Sequence, residues 1–191
     1  MIIANLGSAP WATAAENLGS ILPVSIGVWV IILNLLSFLL SYFMKIKFTL
    51  LIIIKSAFLT VLFGLLIDLF LYIHHIVYVP GNMGIRFIYL LIGLNFMAVA
   101  LSIYFRVSQV HLPSDYLIKA FGKLMNNYTI GTIFCTAIPL SISVVIIVIR
   151  HDIVGLGFGT LLFMFGIGFL IDQYNHWIII QKEAKTNTAI S

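Results

Sequence analysis

Charged residues are scarce in this 191-residue sequence. Ten Lys and Arg and six Asp and Glu make up only 8% of it, whereas 62% of the residues are hydrophobic. A soluble domain carries about 25% charged residues, so this chain lacks the polar side chains to cover a water-exposed surface. The composition excludes a disordered chain and a nucleic-acid-binding domain. It indicates an integral membrane protein, with the lipid bilayer as its first partner.

Cysteine is nearly absent as well. The single Cys135 lies within an apolar run, which excludes an internal disulfide, a disulfide-built secreted module and a cysteine metal cluster. No nucleophile, base and oxyanion set emerges, and no two carboxylates share a helix face. The glycines between 155 and 168 favour close helix packing over a phosphate loop, because no strand precedes them. We therefore expect no enzyme, no catalytic or metal-ligating residues and no cofactor.

Long apolar stretches fill most of the chain. A transmembrane helix needs about 20 largely apolar residues, because the hydrocarbon core is about 30 Å thick. The strict alternation of a membrane β-barrel strand is missing, so the sequence predicts an all-α polytopic membrane helix bundle. The five predicted spans are residues 21–43, 48–73, 85–105, 128–149 and 153–172.

Two further segments, 9–20 and 112–125, are too short and too polar to span. Each has a proline at its second position, Pro10 or Pro113, as is common in a first helical turn. Ser8 and Ser114 are the candidate N-caps. We interpret both segments as short interfacial or re-entrant helices, with amphipathic connectors as the alternative.

The basic residues predict orientation. With five spans, one side of the membrane carries only Arg86 and Arg150. The other side carries seven: Lys45, Lys47, Arg106, Lys119, Lys123, Lys182 and Lys185. Cytoplasmic loops gather Lys and Arg. We therefore expect a cytoplasmic C-terminus and an N-terminus outside, and no signal peptide is recognisable ahead of the first span.

An internal repeat appears at an offset of about 104 residues. The matched pairs are 64–68 with 168–172, Ser56 with Thr160, 25–27 with 129–131, and Pro10 with Pro113. The unit is a span, a short proline-led helix and two more spans. Three spans per unit invert the second copy, an architecture frequent among transporters. The chain is then one membrane domain of two copies, residues 1–84 and 85–191, and the leading span of the first copy is missing.

The residues that carry this repeat also resemble a known family. Residues 5–11, 25–27 and 64–68, followed by 113–115, 128–131, 157–160 and 168–172, are similar to the YczE-like integral membrane proteins, relatives of the YitT group. The resemblance covers nearly the whole chain. It implies a six-span bacterial inner-membrane protein of poorly defined function, from which this chain departs by one span.

Polar side chains in or beside the spans are the candidate substrate-binding residues. They are Trp11, Asn34, Asp68, Asn95, Asp115 and Asp172. An ionisable group within a membrane is costly and points to function, and Asp68 and Asp172 are equivalent in the repeat. The alternatives are an interfacial or helix-capping role for these two Asp, interhelical hydrogen bonding for the Asn, and headgroup anchoring for Trp11. Trp11, Glu16 and Asp115 would close a gate if the short segments re-enter the membrane.

We therefore expect a small-molecule transporter or permease-like carrier of unknown substrate. The alternative is a non-transporting membrane subunit or scaffold that acts through a protein partner. A homo-oligomer would supply cover for the flank that the missing span leaves open.

Overall fold

The computed structural model describes residues 1–178, and every regular element in that part of the chain is helical. A 3-10 turn at Ile2–Ala4 precedes seven α-helices: α1 (Pro10–Ile21), α2 (Ile26–Phe43), α3 (Leu50–Val77), α4 (Met83–Val107), α5 (Pro113–Leu124), α6 (Tyr128–Arg150) and α7 (Phe158–Trp177). The all-α prediction and both short proline-led helices are confirmed. Lys182 and Lys185, on which the orientation partly depends, lie outside the described residues.

Four helices are long and apolar enough to cross a membrane. They are α2, α3, α4 and residues 130–150 of α6, which supports an integral membrane protein. The fifth long helix, α7, has 20 residues, but Asp172, Gln173 and Asn175 make its C-terminal third polar. Its role as a fifth span stays a prediction.

Two long helices begin five residues later than the sequence predicts. Pro23 precedes α2, and the Ser25 side chain caps that helix by accepting a hydrogen bond from Val28 N at 3.3 Å. Before α7, Gly155 has φ +65°, a left-handed conformation that glycine adopts without steric cost. A helix cannot continue through that residue, so α7 begins only at Phe158.

The predicted serine caps of the short helices are wrong. The N-caps of α1 and α5 are Ala9 and Leu112, and neither makes a side-chain cap hydrogen bond. Ser8 instead donates to the carboxylate of Glu16, because it precedes the N-cap. Ser114 is the second residue of α5.

The two short helices lie between α2 and α6. Each of α1 and α5 contacts both of these long helices, while α3 packs on α2 and α7 packs on α4. The apolar core is small: Ala14 and Ala15 of α1 meet Val30 and Leu33 of α2. The bundle is therefore centred on the non-spanning helices, and α3 is a peripheral helix.

The closest helix approach joins α2 to α3. A Cβ placed on Gly27 would lie 2.1 Å from the carbonyl oxygen of Gly64. The buried residues of α3 continue this contact at four-residue intervals, Ser56, Thr60 and Gly64. Small residues at such spacing let helix backbones touch inside a membrane.

We predict that Gly27→Ala destabilises the protein by about 1–3 kcal/mol, because the new methyl group must separate two backbones that are in contact. Gly168→Ala is the matched control. Its Cβ would meet no atom of the described residues within 4 Å, so the substitution should be neutral or stabilising by up to about 1 kcal/mol. Thermal unfolding of the purified protein in detergent measures both. Equal midpoints for the two variants would contradict the proposed contact.

Candidate functional site

The most buried carboxylate in the described part of the chain is Glu16, on the second turn of α1. Its side chain is 8% exposed and accepts a hydrogen bond from the Ser8 hydroxyl. A Cβ on Gly155 would lie 3.0 Å from this carboxylate, so a larger residue there would crowd Glu16. Glu16 therefore lies where the segment before α1 meets the loop before α7.

The carbonyl of Gly155 holds these segments together. It accepts hydrogen bonds from Ser8 N at 3.0 Å, Thr13 Oγ1 at 3.1 Å and Thr160 Oγ1 at 3.2 Å. The Glu16 cluster, defined as Ser8, Thr13, Glu16, Gly155 and Thr160, thus collects side-chain and backbone oxygens from α1, α7 and two irregular segments. All five residues are buried.

Burial changes the protonation of Glu16. Removal from water disfavours the charged form and raises the pKa of Glu16 from 4.5 to about 7, although the hydrogen bond from Ser8 and the amino group of Met1 act in the opposite direction. A carboxyl group with this pKa exchanges its proton near neutral pH, as coupling residues and general acids do.

A second carboxylate, Asp115, is held at the start of α5. It accepts a hydrogen bond from Tyr104 Oη at 2.7 Å, and the same phenolic oxygen accepts from Leu112 N at 2.6 Å. Burial raises the pKa of Asp115, and burial of the neighbouring His111 lowers the pKa of that imidazole. Ser56 of α3 donates to the carbonyl of His111 at 2.5 Å, which ties this loop to the long helices.

Two further candidate residues, Asn34 and Trp11, lie at the short helices: Asn34 of α2 contacts α5, and Trp11 belongs to α1. The Asn34 side chain is 3% exposed, donates to Val30 O at 2.9 Å and accepts from Ser114 N at 3.4 Å. It therefore joins α2 to the first turn of α5, beside Asp115. Trp11 packs against the core formed by α1 and α2.

Asp68 and Asp172 have different surroundings. Asp68 accepts from Ser25 Oγ at 2.6 Å and from Gly27 N at 2.8 Å, so it caps α2, as its alternative role anticipates. Asp172 is exposed, and its carboxylate makes no hydrogen bond or ion pair within residues 1–178. The structure does not bring these two together with Asp115.

Asn95 belongs to the interface of α4 with α7. It donates to Leu91 O and accepts from Tyr174 Oη, both at 2.9 Å. Further along the same interface, Ser102 donates to Asn175 Oδ1 at 2.8 Å. Asn95 thus makes the interhelical hydrogen bond expected of a polar residue in a span.

Sequence reasoning considered Glu16 only as part of a gate and did not place it among the binding residues. Its partners Gly155 and Thr160 lie more than 130 positions away, so local pattern could not reveal them. One signal was available: Glu16 is the only acidic residue before Asp68, and it lies in a helix rich in alanine.

Comparison with known proteins identifies the family. A profile described as "Family of unknown function (DUF6198)" matches residues 1–176, and the chain belongs to this family. None of the curated proteins and none of the solved structures matches the chain. The resemblance to the YczE-like proteins stays a prediction, because the matched family carries no such description.

The pKa of Glu16 predicts a pH dependence of stability. Between pH 4.5 and 7 the folded protein binds a proton at Glu16 that the unfolded chain has released, so the contribution of Glu16 to stability falls as pH rises through this window. The difference amounts to about 3 kcal/mol. We predict that Glu16→Gln, which keeps a neutral side chain at every pH, removes this decline.

Unfolding midpoints of both proteins across this pH window test the prediction. Asp115 and His111 titrate in both proteins, so the difference between the two curves isolates Glu16. Parallel curves would show that Glu16 ionises in the folded protein as it does in the unfolded chain.

Proposed function

We propose that this protein is a small-molecule transporter or permease-like carrier of a bacterial inner membrane, built from an inverted repeat. The observation that carries the proposal is the pair of short helices α1 and α5. Each is packed between the same two long helices, and each holds a carboxylate whose pKa is raised by burial.

The contacts of the short helices support the repeat. Ser56 and Thr160 are equivalent in the sequence, and each lies against the segment that precedes the short helix of the other copy. Ser56 donates to His111 O ahead of α5. A Cβ on Gly7, ahead of α1, would lie 2.7 Å from Thr160 N. Two copies related by an approximate twofold axis would exchange contacts in this way.

The two copies differ in the helices on which their last spans pack. In the second copy, the last helix, α7, packs on α4. The last helix of the first copy, α3, packs on α2 and only slightly on α5. The two copies are residues 1–84 and 85–191, the division that the repeat predicts.

The placement of these groups supports the transport proposal. In carriers with inverted repeats, sites lie at the interface of the copies, where helices are interrupted. Glu16 lies beside the irregular segment between α6 and α7, and Asp115 follows the irregular segment between α4 and α5. We propose that these carboxylates, with Trp11 and Asn34 beside them, belong to the pathway, and that proton release from them accompanies substrate movement.

The alternative is a non-transporting membrane subunit or scaffold. The observation in its favour is the exposure of α3: only 17% of its apolar spanning stretch is buried within the protein. Such a helix presents a long surface to lipid, to a second copy or to another membrane protein. A purified protein that copurifies with a stoichiometric partner and is stabilised by no metabolite would favour this alternative.

The inverted repeat predicts the sidedness of the short helices. Three of the four candidate spans, α2, α3 and α4, lie between α1 and α5, so the two helices should face opposite sides. In a Cys135→Ser background, we expect a membrane-impermeant thiol reagent to label Leu22→Cys in intact cells. Leu124→Cys should react only after lysis. Both residues are exposed.

The Cys135→Ser protein without an added cysteine is the control and should stay unlabelled. Labelling of both positions in intact cells would contradict the inverted repeat, and the transport proposal would lose its support. A C-terminal tag protected from external protease would test the cytoplasmic C-terminus.

The equivalent carboxylates Asp68 and Asp172 provide a test of coupling. A screen for metabolites that raise the unfolding temperature identifies the substrate for uptake into proteoliposomes. We predict that Asp68→Asn with Asp172→Asn flattens the pH dependence of this uptake, because the double variant removes both carboxylates that the repeat makes equivalent. The Asn side chain keeps the oxygen that accepts from Gly27 N, so the cap of α2 survives. Asp152→Asn, in an exposed loop, is the control.

Unchanged uptake with an unchanged pH profile in the double variant would remove these two carboxylates from the coupling mechanism. It would leave Glu16 and Asp115 as the proton-carrying groups.

A further inference from the structure

We propose that the Glu16 cluster binds an alkali-metal cation, which replaces the proton of Glu16 when the carboxylate ionises. The inference deepens the proposed transport role by naming a coupling ion. Its test uses the purified protein alone and does not depend on transport.

The cluster contains more close oxygen–oxygen contacts than hydroxyl protons that could form hydrogen bonds in them. Thr13 Oγ1 lies 3.2 Å from Ser8 O, 3.1 Å from Gly155 O and 3.1 Å from Ser8 Oγ. A threonine hydroxyl has a single proton, and the proton of Ser8 is directed to Glu16. At least one of these three contacts therefore has no proton between its two oxygens, and their lone pairs face each other. Hard cations favour such sets of carboxylate, carbonyl and hydroxyl oxygens.

The charge of the cluster selects a monovalent ion. Glu16 is the single acidic side chain of the cluster, and among residues 1–178 no three His, Cys, Asp or Glu side chains group as metal ligands. A buried carboxylate needs one compensating positive charge, which a proton or an alkali-metal ion supplies. A divalent ion would leave a buried excess charge.

An unsatisfied polar atom lies next to the cluster. Asn17 is fully buried, and its amide group donates to Thr13 O at 2.9 Å and to Val154 O at 2.8 Å. Its Oδ1 has no hydrogen-bond partner within the described residues. Buried side-chain oxygens without a partner are uncommon and call for an unseen ion or water, and the proposed ion would give this oxygen a partner.

The backbone around the cluster is suited to an ion. Gly155 adopts φ +65°, and Ser8 and Gly155 both lie outside the helices, so their carbonyls are not part of a helix hydrogen-bond ladder. Interrupted helices of this kind supply the carbonyl ligands for coupling ions in carriers. The amino group of Met1 is the titratable group that interacts with Glu16; His151 and Asp152 of the neighbouring loop are exposed.

The test is thermal unfolding of the purified protein in NaCl, KCl or choline chloride at equal ionic strength. At pH 8.5, where Glu16 is ionised, we expect a saturating alkali chloride to raise the unfolding temperature by about 3 °C over choline. At pH 5.5 the proton occupies the site, so the difference should disappear. Glu16→Gln should show no difference at either pH, whereas Asp152→Asn should behave as the unmodified protein.

Thr13→Val keeps the shape of the side chain and removes one oxygen. It covers the case in which Glu16→Gln does not fold, and it should raise the alkali concentration for half-maximal stabilisation about tenfold. Identical unfolding temperatures in the three salts would overturn the proposal, as would an alkali effect that survives in Glu16→Gln. Labelling that contradicts the inverted repeat would remove the transport role but leave this binding result intact.

Discussion

A helix bundle in a membrane must satisfy every backbone polar group from within the protein wherever a helix stops, because lipid offers no hydrogen bonds. The carbonyl of Gly155 shows how this chain meets the requirement. It receives donors from Ser8, Thr13 and Thr160, so one oxygen joins the first irregular segment, α1 and α7. The placement of Glu16 follows from this junction. The carboxylate packs against Gly155, and the absence of a side chain on this glycine, which also prevents a continuous helix here, keeps the contact from being crowded.

The sequence was sufficient for much of the architecture. Intervals between charged residues located the long helices, and Pro10 and Pro113 marked the first residues of the two short ones. Errors occurred where a local signal was overridden. Hydrophobicity alone does not mark the helix ends near residues 21–25 and 153–157. Pro23 disfavours a helical conformation at Leu22, which is extended, and Gly155 is left-handed. The Glu16 cluster was not predictable, because contacts such as Thr13 with Gly155 span 142 positions.

Sequences that the proposed repeat pairs with each other do not have equivalent surroundings. Gly64 is in backbone contact with Gly27, whereas a Cβ on Gly168, its partner in the proposed repeat, would meet no atom of residues 1–178 within 4 Å. Asp68 likewise caps a neighbouring helix, and Asp172 faces outward. The difference arises because α3 packs on α2 while α7 packs on α4. A repeated motif therefore fixes which residues are available, and the neighbouring helix determines what they do.

The end of α7 has a consequence for how the protein is assembled. Arg106 of α4 donates to the carbonyls of Asn175 at 3.4 Å and Ile178 at 2.7 Å, and to Ser102 Oγ at 3.0 Å. A guanidinium at the C-terminal carbonyls stabilises a helix through its dipole. The polar last turns of α7 thus obtain their partners from a helix made about seventy residues earlier. The end of α7 therefore gains these partners only against α4, so the pairing of the two helices must wait until the chain between them has been made.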